Sequence, residues 1–410
     1  MIPERSAVSN VLITGITSCE SRGVEALARS IIEQLNTEGP GGGDNVTVLT
    51  QTPVLDAESL APTSARCVAD PFVVSRSWQQ MRPQESPAEL AERREQLLAQ
   101  TDLVIATGGD LHTSDYGVST PYLRVLTAVQ QRDIPTAMIG QSVGPFDDLA
   151  DAEAWLAVAT RCDLLTVRES VSLDYLVGKL GLPEHRVRLS SDPAFLLPAA
   201  TGERTAAVLG PLGLAPEDPY LCLAPSQGIT RFSTLEESQH AAALTRLATS
   251  LVRTRKMPVV LVPHCHDSRP HNDDRILAAR IAEAADMPEV MALPGALTAS
   301  DYKGVLSQAE LVISERLHAA IGALSGGAPA IAIGHSHKFN GVLAETYGHT
   351  VDVDGIHADV RAFAQDTTVI GRLVNDTDAT ALRTTLRQRL PLITDRARSD
   401  FAQINKLLGA

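Results

Sequence analysis

Short apolar runs alternating with helical stretches constrain this chain more than any other feature. Residues 11–14, 46–49, 103–106, 136–139 and 164–167 (VLIT, VTVL, LVIA, TAMI and LLTV) read as buried strands. The stretch at 24–35 carries apolar residues at spacings of three and four, as an amphipathic helix requires, and 121–132 and 171–180 also read as helices. Near-continuous apolar strands joined by helices imply parallel sheets covered on both faces. A second series has strands at 220–224, 259–263, 290–293, 311–313 and 329–333, with helices at 240–254, 274–285 and 319–325. Between the two series, residues 197–219 are rich in Pro, Gly and Ala and read as a linker. Residues 376–408 read as a helical tail that Pro391 interrupts. The expected fold is α/β, with two Rossmann-like parallel-sheet domains at 1–200 and 201–375. A helical segment, 376–410, is expected to pack back on the first domain. Ligands of such sheets bind beyond the carboxyl ends of the strands, here expected in the cleft between the domains.

A net charge of −14 argues against nucleic acid or a polyanionic membrane surface as the main partner. It leaves room for a small anion in a local basic pocket. The five cysteines (Cys19, Cys67, Cys162, Cys222 and Cys265) are widely spaced and form no CxxC pair, which fits a reducing cytosol. The opening residues MIPERSAVSN lack the apolar core of a signal peptide, and no run approaches the roughly 20 apolar residues of a membrane span. The expected location is cytoplasmic, at most peripheral to the inner face of the membrane.

Chemistry concentrates where strands end. The strand at 311–313 runs into Ser314-Glu315-Arg316-Leu317-His318 at the start of a helix. Unpaired amides and the macrodipole already favour anions at such a start. Arg316 adds a cation, and His318 adds an imidazole that can give or take a proton. The next strand leads to His335, His337 and Lys338. In the first half, Thr107-Gly108-Gly109-Asp110 follows a strand, where glycines permit a tight turn and Asp110 can orient a hydroxyl or act as a base. His112 is a weaker candidate beside it. Gly140-Gln141-Ser142-Val143-Gly144-Pro145-Phe146 reads as a loop in which Gln141 and Ser142 offer polar groups. Arg168 stands at another strand end, suited to bidentate contact with a phosphate or carboxylate. A salt bridge with Glu169 or Asp192 is the competing reading of Arg168. His264 and His266 share a face of an extended segment, but no standard zinc spacing is met, so no metal is expected. The first loop, Gly15 to Gly23, holds no GxGxxG, and there is neither a P-loop nor a GxSxG elbow.

Taken in order, TGGD (107–110), GQSVGPF (140–146), VRES (167–170), SDPAF (191–195), SERLHA (314–319) and HKF (337–339) resemble the polysaccharide pyruvyl transferase family. The similarity spans roughly residues 10 to 350. The resemblance implies a GT-B-like fold and transfer of the pyruvyl group of phosphoenolpyruvate to hydroxyls of a sugar, glycan or glycolipid as a ketal. By motif, Arg316, His318 and Asp110 match catalytic positions. Arg168 and Lys338 match substrate-binding positions, with Gly108, Gly109, Gln141 and Ser142 on the neighbouring motifs. Phosphoenolpyruvate is the donor, and no cofactor or metal is implied. A homo-oligomer is compatible with the family. The first loop departs from the family's Asn-x-Gly-Asp pattern, reading Glu20-Ser21-Arg22-Gly23-Val24-Glu25. Two rival readings stand beside this one: a nucleotide-sugar glycosyltransferase of the same fold, and a catalytically silent binding protein.

Overall fold

Apolar strands sandwiched by helices dominate the computed structural model, which describes residues 9–38, 45–61, 63–75, 80–117, 120–295, 297–348 and 351–409. Residues 1–8, most of the stretch read as lacking a signal sequence, lie outside the described residues. The chain divides into two units. One comprises Met1–Cys19, Leu27–Leu196 and Ile393–Ala410, and the other Glu20–Ala26 and Leu197–Leu392. The first turn of the helix Arg22–Glu38 is therefore counted with the second unit, not with the first domain as its place in the sequence suggests.

In the first unit the strands are β1 (Asn10–Thr14), β2 (Asn45–Thr50), β3 (Arg66–Ala69), β4 (Leu103–Ala106), β5 (Gly109–His112), β6 (Thr136–Val143), β7 (Leu164–Val167) and β8 (Arg188–Leu189). Their order is β3-β2-β1-β4-β6-β7-β8, with β5 paired to β6. Every pairing is parallel, and Val11 faces Val46 on one side and Leu103 on the other. Leu12, Val104, Met138 and Leu165 carry the core across the sheet to Trp155 and Leu176 in the covering helices. The second unit has β9 (Leu221–Ala224), β10 (Val259–Leu261), β11 (Val290–Ala292), β12 (Leu311–Ser314), β13 (Ala330–Gly334) and β14 (His357–Asp359). Its order, β11-β10-β9-β12-β13-β14, is that of a doubly wound sheet. The order reverses between β9 and β12, the switch point where such sheets bind ligands beyond the carboxyl ends.

Four local expectations change. The apparent linker at 197–219 contains the helix Gly202–Leu209, capped by Thr201, and Arg204 makes a bidentate pair with Asp301 at 2.8 and 3.1 Å. Composition hid the cap. The 107–110 turn leads into a strand, because β5 extends the line of β4 along β6. Likewise β6 runs through Gln141 and Ser142 to Val143, so the expected loop begins later. Lastly, the helix Ala379–Leu407 continues through Pro391. Leu386, Ile393, Ala397, Phe401 and Ile404 recur on one buried face, and their burial outweighs the hydrogen bond that proline removes. Among the described residues no helix is long and apolar enough to cross a membrane.

The end of that helix is tied to the first sheet by Asp400, whose Oδ2 accepts from Ser190 Oγ and Thr166 Oγ1, both at 2.8 Å. Burial raises its pKa to about 6, against the lowering effect of those hydroxyls and of Arg188. The folded protein thus holds a proton here that the unfolded chain releases near pH 4. Stability falls as pH rises from about 4 to about 6, and the loss is complete above that window. Asp400→Asn keeps an acceptor for both hydroxyls without the charge. It is expected to stabilise the protein at pH 7 by on the order of 2 kcal/mol. It should also flatten the difference between pH 4 and 6, read by urea unfolding at a series of pH values. A variant whose unfolding midpoint follows the wild type across that range would refute the assignment.

Candidate active site

Three buried acidic and basic side chains organise the switch point of the second sheet. Ser314 closes β12 and donates through Oγ to the carbonyl of Arg316 at 2.7 Å. Glu315 follows, fully buried, with Oε2 accepting the Ser226 amide at 2.8 Å and Oε1 lying 2.8 Å from His240 Nε2. Burial opposes the charge on His240, but Glu315 outweighs it and holds the imidazole pKa above its usual value. Arg316 caps the helix Leu317–Ser325 and forms a fork onto Asp274, with Nε–Oδ2 at 3.0 Å and Nη2–Oδ1 at 2.7 Å. Asp274 also accepts the amides of Gln227 and Cys265, both at 2.9 Å. Two carboxylates thus join the loops that leave β9, β10 and β12. His318 occupies the second position of the helix and is half-buried. Lys338 opens the helix His337–Tyr347 beyond the adjacent strand β13 and is 1% exposed. Arg316, His318 and Lys338 therefore all leave the carboxyl edge of this sheet.

The departed first loop lies at the same edge. Ser21 bridges Cys265 in antiparallel fashion, the amide of Arg22 donates to the His264 carbonyl at 3.0 Å, and that of His266 donates to the Glu20 carbonyl at 2.8 Å. Gly23 has no room for a side chain, since a Cβ there would lie 2.5 Å from the His318 ring. Arg22 pairs with Glu25, and its Nη2 lies 3.1 Å from His266 Nδ1. His264 is fully buried. Burial, and then the nearby His318, Arg316, His266 and Arg22, hold its pKa well below the ordinary imidazole value. His266 is pushed to about 4 by burial and by Arg22. Both imidazoles are therefore neutral at working pH, each with one donor and one acceptor nitrogen. The His266 ring bonds to Arg22, Tyr302 and the Pro263 carbonyl, whereas the His264 ring lies 5.8 Å from that of Tyr302 between centres. Sequence reasoning missed Arg22 as a member of this group. Its only signal was the divergence of the first loop from the family pattern.

In the first unit the motif residues gather around β5, β6 and β7, but most face inward. Arg168 is completely buried: Nε donates to Ser142 Oγ at 2.7 Å and Nη1 to Asp192 at 2.5 Å. Burial works against its charge, yet Asp192, Glu169 and Asp110 outweigh that effect and keep the guanidinium protonated. Ser142 in turn donates to Glu169 at 3.0 Å. Arg168 and Ser142, both expected to contact substrate, lie in an internal ion-pair network with their side chains buried. Gln141 is spent on the carbonyls of Ala106, Thr107 and Ile139. Gly108 is packed so that a Cβ would lie 2.8 Å from the Gly140 carbonyl oxygen, and Gly109 is buried as well. At the turn expected to bind substrate, Gly108 is thus closely packed and Gly109 has a φ of +132°. His112 is buried, 6.4 Å from Trp155 between ring centres, and burial pushes it to about 4. Asp110, on β5, is the motif carboxylate of this cluster that is partly exposed.

The fold is shared with sugar-nucleotide proteins. HepE of Anabaena, in complex with UDP and glucose, has a TM-score of 0.60 at 15% identity, over 98% of this chain and 100% of that one. UDP-GlcNAc 2-epimerase of Neisseria meningitidis, bound to UDP-GlcNAc, has a TM-score of 0.59 at 12% identity, over 98% of this chain and 100% of that one. At such identities the likeness shows the fold alone, and it defines a GT-B-like protein of two parallel α/β units. Residues 46–337 match the polysaccharide pyruvyl transferase family, and the chain belongs to that family. The amylovoran biosynthesis protein AmsJ of Erwinia amylovora is 25% identical over 376 residues, 82% of this chain and 85% of that one.

Proposed function

We propose that this chain moves the pyruvyl group of phosphoenolpyruvate onto two hydroxyls of a sugar or glycan, forming a pyruvate ketal and releasing phosphate. The observation that carries this reading is the concentration of Arg316, His318 and Arg22 around a neutral His264 at the switch point, in a chain of net charge −14. Phosphoenolpyruvate brings a carboxylate and a phosphate, and cations at strand ends suit both. In this scheme Arg316 and Lys338 hold those anions. His318 gives a proton to the methylene carbon, which leaves cationic character on the central carbon. One acceptor hydroxyl adds there and yields its proton to a base, a role proposed for Asp110 from its motif alone. The second hydroxyl adds as the C–O bond to phosphate breaks, and phosphate leaves with the bonding electron pair and a proton. One proton thus enters carbon, two leave hydroxyls, and one departs on phosphate. No cofactor beyond the donor enters the scheme, and AmsJ points to an exopolysaccharide acceptor.

A nucleotide-sugar glycosyltransferase is the second reading, favoured by the UDP-GlcNAc of one fold relative and the UDP and glucose of the other. A thermal-shift comparison separates the two. Phosphoenolpyruvate at about 100 times its dissociation constant should add about 2.7 kcal/mol of stability, with UDP sugars adding none. The reverse result would make the glycosyltransferase reading correct. Phosphate release with a glycan acceptor panel distinguishes both enzymes from a silent binding protein.

A further inference from the structure

Arg22 is the cation at this edge whose guanidinium is least spent. It offers five N–H donors in a planar fork. Among the described residues its side chain takes two acceptors, the Glu25 carboxylate on Nη1 and His266 Nδ1 on Nη2. Its Nε is buried and donates to no described residue. Arg168, in the first unit, also has a buried Nη2 that meets no described partner, but it is enclosed with its counter-ions, and Arg316 has Nε and Nη2 occupied by Asp274. A charged donor left unsatisfied in a site 13% exposed is costly, and an oxyanion is the group that satisfies it best.

The surroundings of Arg22 look built to aim it. Glu25 is fully buried, and its Oε1 accepts the Ala299 amide at 2.9 Å while Oε2 pairs with Arg22. The carboxylate thus pins one corner of the guanidinium. His266 pins another, and only in one tautomer, because Nδ1 must accept from Arg22. Its proton then sits on Nε2, which lies 2.9 Å from Tyr302 Oη and 3.1 Å from the Pro263 carbonyl oxygen. Tyr302 Oη lies 3.3 Å from the Pro294 carbonyl oxygen, where it can donate. The chain of bonds runs from a buried tyrosine through a neutral imidazole to the arginine. Immediately after Arg22, Gly23 presents bare backbone to the His318 ring, which brings the loop beside the residue assigned to proton transfer.

We infer that Arg22 binds an anionic group of the donor substrate, its phosphate or carboxylate, and that His266 is a positioning residue which orients Arg22 through its Nε2–H tautomer. The inference rests on the phosphoenolpyruvate reading above. The first loop, at variance with the family pattern, is on this view part of the donor site.

The test is calorimetric titration of the full-length protein with phosphoenolpyruvate, together with steady-state kinetics. Arg22→Ala should weaken binding 10- to 100-fold with an unchanged circular dichroism spectrum, and Arg22→Lys should recover part of the loss. His266→Asn leaves an acceptor near the place of Nδ1 and should keep KM for the donor within about twofold. His266→Gln moves the acceptor to the far end and should raise KM about tenfold with kcat nearly unchanged. A merely structural anchor would lower stability in all four and leave binding alone. Wild-type affinity in Arg22→Ala overturns the inference while the pyruvyl transferase reading stands. If Arg22→Ala does not fold, the His266 pair decides, and equal KM in Asn and Gln variants overturns it. A wild-type protein that binds no phosphoenolpyruvate overturns both readings.

Discussion

Replacing His318 with alanine is expected to slow pyruvyl transfer by on the order of 10³-fold while leaving the fold in place. The scale follows from the role. A positioned acid that protonates carbon lowers the barrier of the step that creates electrophilic character, and water does not replace it efficiently. The structural cost is modest, because His318 is half-buried in the first turn of its helix and its ring rests against the bare backbone of Gly23. Alanine also suits that helix position. The decisive measurements are kcat with phosphoenolpyruvate and a saturating acceptor, and donor affinity by titration. The effect should fall on kcat and leave the donor dissociation constant within a few-fold, since Arg316 and Arg22 remain. His318→Gln, which can donate a hydrogen bond but cannot exchange a proton at neutral pH, should be nearly as slow. Wild-type turnover in either variant would remove His318 from the mechanism.

The second large effect is on stability. Arg168→Ala should cost about 3–5 kcal/mol, because it strips the counter-ion from buried carboxylates that cannot be rehydrated cheaply. Asp192 and Glu169 both have side chains without solvent exposure. Ser142 would lose the donor that fixes its hydroxyl toward Glu169. Lysine is not an adequate substitute, since a single ammonium cannot reach Ser142 and Asp192 with the geometry of the fork. Urea unfolding should show a lower midpoint at an unchanged slope. A variant that loses activity but less than about 1 kcal/mol of stability would return Arg168 to the substrate, as its motif suggests.

That contrast marks where sequence reading stops. The strands LVIA, LLTV and LVIS are apolar on both faces, so their place in parallel sheets follows from period and burial alone. Arg316 and Arg168 both follow such strands, and from residue type they look alike. What separates them is burial, since each has a carboxylate partner: Arg168 is enclosed with Asp192 and Glu169, whereas Arg316, forked onto Asp274, stays half-buried. Spacing cannot reveal which way a strand end faces. Gln141 and Ser142 illustrate the same point, since β6 simply continues past the glycine that seemed to end it. The helix Gly202–Leu209 was hidden for another reason. Its cap and its pairing with Asp301 do the work that apolar periodicity does elsewhere. Arg22 was the most informative miss, for its partner His266 lies 244 positions away.

The allegiance of Glu20–Ala26 to the second unit has a consequence for how such proteins diversify. Gene segments exchanged between relatives at the junctions near Leu197 and Ile393 would appear to swap whole units, yet this seven-residue loop would stay behind with the other parent. A chimera made there would inherit the bridge to Cys265 and the neighbour of His318 from one lineage and their counterparts from another. Productive shuffling therefore requires the two parents to agree at residues 20–26, or the loop to travel as a second exchanged fragment. The history of this sheet edge should then be traced jointly through the amino-terminal loop and the carboxyl-terminal sheet.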